Sequence, residues 1–340
     1  MKKKSLVIVG AGISGLYLAS LLQKNFNITI LEARERIGGR IYSINGHDMG
    51  PSWVWSHQKN VLNLMRSLNI KLFAQYSTGA ALYDTKERVE TFTAPPSTPS
   101  ARVDGSLSLL IEKLHTSLKN SEIIRYEKVN SIAQFSDCIK ITTQNKIYES
   151  DFVVVTLPPR LCAKLSFTPE LPKALKSTMQ NTPTWMGNSA KCVVVFKNAF
   201  WKTMGLSGFA FSVVGPLAEI HDACTKKQAA LFGFVNLNTD MRTLKEDVKQ
   251  QMLRLFQIDE SEIISIDFVD WKAEQFTAVN ADKKSLTAHP NYGIDTKEFS
   301  NKILFSSTEF SSEEGGYIEG AVVQAKKVAD YLFTTTFKKL

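Results

Sequence analysis

The sequence predicts an α/β fold in two parts, on three observations. A strand–turn–helix–strand unit opens the chain. Apolar strand runs and helical periods alternate after it. And 340 residues suffice for about two domains of ordinary size. Residues 5–10 (SLVIVG) are β-branched, continuous and apolar, as a buried strand is. Gly10, Gly12 and Gly15 follow in GxGxxG spacing. Leu16, Ala19, Leu21 and Leu22 mark a helix that ends near Asn25. Residues 28–31 (ITIL) are a second strand closing with Glu32, so the unit is βαβ.

Residues 60–68 are helical in period. Residues 94–104 (APPSTPSARVD) hold three prolines among Ser, Thr and Asp and predict a loop. A helix restarts over 105–118. Residues 123–129, 139–143 and 152–157 predict strands, the last stopped by Pro158-Pro159. Residues 191–196 (KCVVVF) are a strong strand, with weaker ones at 229–236 and 262–268. An amphipathic helix spans 244–257, a strand 302–305 and a long helix 318–333.

Composition narrows the function classes. The chain is 44% hydrophobic and 22% charged, which excludes a disordered, collagenous or coiled-coil protein. Cys138, Cys162, Cys192 and Cys224 show no CxxC pair, so no metal site is expected and reduced thiols in the cytoplasm fit best. The net charge of +8 is spread along the chain, with only Lys2–Lys4 and Lys338-Lys339 as runs, so no nucleic-acid partner is expected. Lys2–Lys4 before an apolar stretch resembles a secretory signal. Gly10, Gly12 and Gly15 interrupt that stretch and no clear cleavage site follows, so neither a leader nor a stable membrane anchor is expected.

The opening unit has the chemistry of a Rossmann-type dinucleotide site. Gly10 permits the tight turn, Gly12 lets backbone approach a pyrophosphate, and Gly15 lets helix pack on strand. The helix N-terminus offers free N–H groups and partial positive charge to phosphates. Glu32 at the strand tip can accept from both ribose hydroxyls, and would repel a 2′-phosphate. Beyond it, in the stretch Glu32-Ala-Arg34-Glu-Arg36-Ile-Gly38-Gly39-Arg40, two glycines followed by arginine make a second phosphate cradle, Arg40 offering a charge-assisted contact.

This stretch resembles the flavin amine oxidase family of monoamine and polyamine oxidases, with protoporphyrinogen oxidases and carotene desaturases as cousins. The resemblance runs through most of the chain. Asp48-Met-Gly50-Pro51-Ser52-Trp53 resembles the segment against the flavin ring, and Val129-Asn-Ser-Ile132 the strand whose backbone touches adenine. Residues 153–159 and 167–172 follow the family order. Met186-Gly187-Asn-Ser-Ala-Lys191, with Phe200-Trp201 after it, resembles the strand bearing the active-site lysine. Residues 303–309 and 315–321 resemble the last flavin-binding turn and helix.

The resemblance implies FAD as cofactor, held by Gly10, Gly12, Ser14, Gly15, Glu32, Arg34, Gly39, Arg40, Pro51, Ser52, Trp53, Val129, Thr308, Glu309 and Ile318. It implies Lys191, Trp271 and Tyr317 as catalytic residues: Lys191 holding a water near the reacting flavin atom, Trp271 facing the flavin, Tyr317 walling the amine. A solvent-facing strand-end lysine and two core aromatics are the plain alternatives. The monoamine oxidases' flavin-bound cysteine and second cage tyrosine read Asn280 and Ala281 here, so the FAD is expected to be non-covalent. Cys192, next to Lys191 on a strand, is expected to point away into the core. Ser306-Ser307 replaces the family's Ala-Gly, and most of the helical substrate segment is missing.

The expected architecture is an FAD-binding part of 1–72, 103–178 and 271–340, and a smaller mixed-sheet substrate part of 73–102 and 179–270. The expected activity is oxidation of an amine to an imine with release of hydrogen peroxide. A desaturase or dehydrogenase of a large or carrier-bound non-amine substrate is the alternative, and a non-catalytic flavin-loaded subunit a third. A homo-oligomer or a partner covering an open site is expected.

Overall fold

The computed structural model describes residues 3–95, 98–284, 286 and 288–337. Lys2, Lys338 and Lys339 lie outside these, as do Pro96 and Ser97 of the proline-rich stretch. Five parallel strands form the first sheet, in the order Ser121–Ile124, Phe26–Leu31, Lys4–Val9, Phe152–Val155, Ile303–Phe305. Alternation along Lys4–Val9 explains its layers. Leu6 and Ile8 face one core with helices Ile13–Leu22, Ser108–Ser117 and Ile318–Phe337. Val7 and Val9 face a second core, shared with a four-stranded sheet that contributes Ile132, Ile139 and Ile141. Both faces are covered, as a parallel sheet requires.

A seven-stranded mixed sheet builds the second half. Its order is Ile263–Asp270, Ala190–Phe196, Ala229–Val235, Leu217–Asp222, Leu206–Ser212, Ala80–Asp84, Val89–Phe92. Its pairings are antiparallel except that of Leu206–Ser212 with Ala80–Asp84. Cys192, Val194 and Phe196 point to a core with Leu244, Val248 and Met252 of helix Leu244–Phe256. Lys191, Val193 and Val195 therefore point to the opposite face, where Val193 and Val195 pack with Met49, Ala230 and Phe232.

Two expectations need correction. The loop at 94–104 contains a strand, Ser100–Val103, which pairs with Val54–Trp55 and Leu72–Ala74. The strand expected over 123–129 is two strands in different sheets. Ser121–Ile124 ends at a turn with Tyr126 in the left-handed region, and Val129–Gln134 begins the next. Glu127 N donates to Glu32 O at 2.8 Å and pins that turn to the ribose-side strand tip.

Candidate active site

The two large sheets enclose one cavity of about 930 Å³, at the upper end of the range for small-molecule sites. One end is the opening glycine turn. Gly10 has φ +106°, and a Cβ on Gly15 would sit 2.1 Å from the Gly10 carbonyl oxygen, so helix and turn touch through backbone. Gly12 and Gly39 face each other, with a bridge between Gly12 and Gly38. A Cβ on Gly39, whose φ is +60°, would stand a tight 3.3 Å from the Gly12 Cα, so the two backbones approach closely here. Glu32 is buried, accepting from Ala11 N at 2.8 Å and Arg34 N at 2.9 Å, and it still lines the cavity. A bare glycine groove beside a fixed carboxylate fits the pyrophosphate and ribose of FAD. Val129 and Asn130 line the cavity nearby.

Arg40 lines the cavity, and its guanidinium is held by Glu309 through bonds of 2.6 and 3.2 Å. Glu309 is fully buried and is not a lining residue; it orients the arginine. Gly15 does not line the cavity either. The Ser14 hydroxyl bonds the Ser306 backbone carbonyl and side chain, so Ser306 ties the first helix to the end of the last strand, while Ser307 Oγ donates to Glu309. Thr308 and Ile318 line the cavity at the start of helix Ile318–Phe337. Thr308 Oγ1 donates to Tyr317 O at 2.6 Å, and Glu319 accepts from Asn60 N and Val61 N, capping helix Lys59–Ser67.

At the other end Lys191 rises from the seven-stranded sheet. It is 2% exposed, which excludes a solvent-facing lysine. Its Nζ donates to Gly50 O at 2.9 Å and to Ser52 Oγ, and lies 4.0 Å from the centre of the Phe232 ring. Burial lowers its pKa to about 7; the Arg102 charge adds to this and Asp48 opposes it. Burial raises the Asp48 carboxyl, against the pull of Lys191. Asp48 accepts from Leu107 N at 2.8 Å and Ser43 Oγ at 3.1 Å. Lys191 is thus poised between ammonium and amine near neutral pH.

Trp271 donates from its indole to Met49 O at 2.9 Å and, like Lys191, braces the 49–52 segment. Pro51, Ser52, Trp53, Trp271 and Tyr317 all line the cavity. Tyr317 meets Trp55 edge-on at 5.9 Å and Trp185 tilted at 6.5 Å. Ala281, at the expected second cage position, lies exposed in a short 3-10 turn and does not line the cavity. Trp55, Trp185, the influence of the Asp48 charge on Lys191, and Phe211, Glu219, Phe232 and Phe234 escaped the sequence reading. They converge only through sheet register and have no linear motif. None of the four cysteines is among the lining residues, in keeping with non-covalent FAD, and Cys192 is buried in the helix-side core. Among the described residues no His, Cys, Asp and Glu cluster could hold a metal, and no helix is long and apolar enough to cross a membrane.

Comparison with known proteins agrees. The family model "Flavin containing amine oxidoreductase" matches residues 96–332, more than half of the chain, and a model of an NAD(P)-binding Rossmann-like domain matches 8–68. Flavin-containing amine oxidase A of Sus scrofa is 23% identical over 448 aligned positions, covering 95% of this chain and 84% of that protein. Flavin-containing amine oxidase B of Homo sapiens is also 23% identical, covering 96% and 85%. An alignment of 448 positions on a 340-residue chain leaves more than 100 positions without a counterpart here. In fold, the chain is similar to wild-type putrescine oxidase bound to putrescine (TM-score 0.81, 17% identity, covering 98% and 99%). It is equally similar to cyclohexylamine oxidase from Brevibacterium oxydans IH-35A (TM-score 0.81, 14% identity, covering 97% and 100%). The chain therefore belongs to the flavin-containing amine oxidoreductase family, as an FAD-dependent, amine oxidase-like oxidoreductase.

Proposed function

We propose that the protein oxidises a small-molecule amine at its α-carbon to an imine, with oxygen reduced to hydrogen peroxide and water then hydrolysing the imine. Bound FAD supplies the two-electron acceptor for this chemistry. The observation that carries the reading is Lys191: a buried lysine near its own pKa, in the cavity that also holds the glycine cradle. Lys191 can hold a proton at Nζ or pass one to water, and Gly50 O with Ser52 Oγ fixes its direction. Tyr317 with Trp55 and Trp185 offers aromatic walls for the amine, and Trp271 fixes the backbone opposite. A desolvated wall of this kind favours the neutral amine over the ammonium, so no separate strong base is needed.

The same FAD-binding set named from the sequence is proposed for cofactor contact, with Gly15 and Glu309 acting through Gly10 and Arg40. The proposed partition is 1–72, 103–178 and 271–340 for the FAD part and 73–102 with 179–270 for the substrate part. It is supported by the sheets: all strands of the five- and four-stranded sheets fall in the first set, and all seven of the mixed sheet in the second.

Purified protein should be yellow, release its flavin on acid precipitation, and yield peroxide with members of an amine panel. In Lys191→Met the oxygen-consuming half-reaction should slow far more than anaerobic reduction. Anaerobic reduction only by non-amine donors would sink the amine reading.

A further inference from the structure

Tyr317 lines the cavity with little to anchor its ring. Its backbone is fixed: the carbonyl accepts from Thr308 Oγ1, and the amide donates to Glu314 O at 3.1 Å. Among the described residues its hydroxyl makes no hydrogen bond. The torsion that turns a tyrosine ring has a broad well, so neighbours set the ring plane.

Trp55 meets that ring edge-on and Trp185 at a tilt, and neither lies flat on it. His289 does. Its imidazole is parallel to the Tyr317 ring within 2°, with centroids 5.3 Å apart, which is an offset stack. Tyr317 lines the cavity and His289 does not, so the histidine backs the ring from outside.

His289 is held in turn. Its ring lies 4.5 Å from Trp185 and stands perpendicular to Tyr292 at 5.4 Å. The Tyr292 hydroxyl donates to Pro183 O at 2.9 Å, two residues before Trp185. The chain entering Tyr317 rests on the same group. A Cβ on Gly315 would stand 2.5 Å from Tyr292 Cβ, and one on Gly316 3.0 Å from Trp185 Cβ. Trp185, His289 and Tyr292 thus bracket residues 315–317. Residues 288–302 form no helix or strand, so no period or motif marks His289 in the sequence.

We infer that His289 is a positioning residue for the amine: stacked on the outer face of Tyr317, it fixes the plane of the ring that the amine meets inside. This rests on the amine-oxidase reading above, in which Tyr317 walls the amine. Ala281, at the expected second cage position, does not line the cavity, so more of the wall falls to Tyr317. A ring free to turn must be ordered each time an amine binds, and a ring already stacked need not be. Stacking requires only a flat ring at 289, so phenylalanine should serve and alanine should not.

The test compares flavin-loaded wild type, His289→Ala and His289→Phe, with rates counted per bound flavin. For the best substrate of the amine panel, KM should rise on the order of fivefold in His289→Ala, while reoxidation by oxygen keeps its wild-type rate. His289→Phe should restore most of the wild-type KM. A purely structural role would lower the flavin content and thermal midpoint of His289→Ala and leave KM of the loaded enzyme alone. That result, or a raised KM that His289→Phe does not rescue, overturns the proposal while the amine-oxidase reading stands. If the wild type oxidises no amine, that reading falls and the ring itself decides. Holoprotein labelled with 3-fluorotyrosine reports it, the Tyr317 fluorine signal being assigned by its loss in Tyr317→Phe. A held ring gives two slowly exchanging signals in the wild type and His289→Phe, and one averaged signal in His289→Ala. One averaged signal in the wild type, or two in His289→Ala, overturns the proposal.

Discussion

Lys191 concentrates the electrostatics of the site. Its ammonium has a pKa of about 7 in the folded protein, against about 10.4 in an unfolded chain. Between those values the unfolded chain binds the extra proton, so wild-type stability rises with pH there. Below about pH 7 both states are protonated and the cost of the buried charge is fully present. Lys191→Met lacks this titration. Its stability relative to wild type should fall, by on the order of 2 kcal/mol, between pH 6 and pH 9. Urea midpoints of both proteins at the two pH values measure it, and a difference independent of pH would contradict the buried titration. Lys191 was legible in the sequence because its strand is continuous and its flanking residues are distinctive. Burial chiefly lowers its proton affinity, and Asp48 and Arg102, whose charges modulate that effect in opposite directions, were not legible as its neighbours. They are brought beside it from chain segments some 90 to 140 positions away.

Among the elements, the turn from the first strand to the first helix is the most constrained. A methyl group on Gly15 would meet the Gly10 carbonyl at 2.1 Å, and that contact is backbone on both sides. Gly15→Ala must push helix Ile13–Leu22 off the strand, at a cost of about 1–3 kcal/mol. The same displacement opens the phosphate groove, so purified Gly15→Ala should carry far less flavin per mole of protein. Gly46→Ala is the control: φ is positive there, as it is not at Gly15, but no atom lies within 4 Å of the added methyl. It should lose some stability and keep its flavin absorbance. The inner parallel strands Lys4–Val9 and Phe152–Val155 were legible because each carries a run of buried apolar residues, whereas the partly buried edge strand Ser121–Ile124 was not separated from the strand after it. Ala80–Asp84, Val89–Phe92, Leu206–Ser212 and Leu217–Asp222 were missed for the opposite reason. They carry exposed or polar positions such as Tyr83, Glu90, Phe211 and Glu219, and Gly208 interrupts one of them. Their strand character comes from pairing, which local sequence does not encode.

At the scale of the molecule, the cavity belongs to neither sheet alone. Gly10 and Glu32 reach it from the parallel sheet, Lys191 and Phe232 from the mixed one, and Trp271 from just beyond the mixed sheet's edge strand. A ligand filling that space is bound by the folded arrangement of both and by no part of the unfolded chain. It must stabilise the whole by mass action, by about 2.7 kcal/mol at a free concentration one hundred times its dissociation constant. Adding FAD to flavin-depleted protein should therefore raise the thermal midpoint by several degrees. Two probes test whether the sheets respond together. Trp53, Trp55, Trp185 and Trp271 line the cavity, so their fluorescence reports the site, while far-ultraviolet circular dichroism reports both sheets. Coincident shifts in the two signals are expected, because Lys191 is fastened to Gly50 and Ser52 and Trp271 to Met49 across the sheet boundary. A fluorescence shift that leaves part of the dichroism transition at the apoprotein midpoint would mean that FAD grips one sheet and that these cross-links do not couple the other to it.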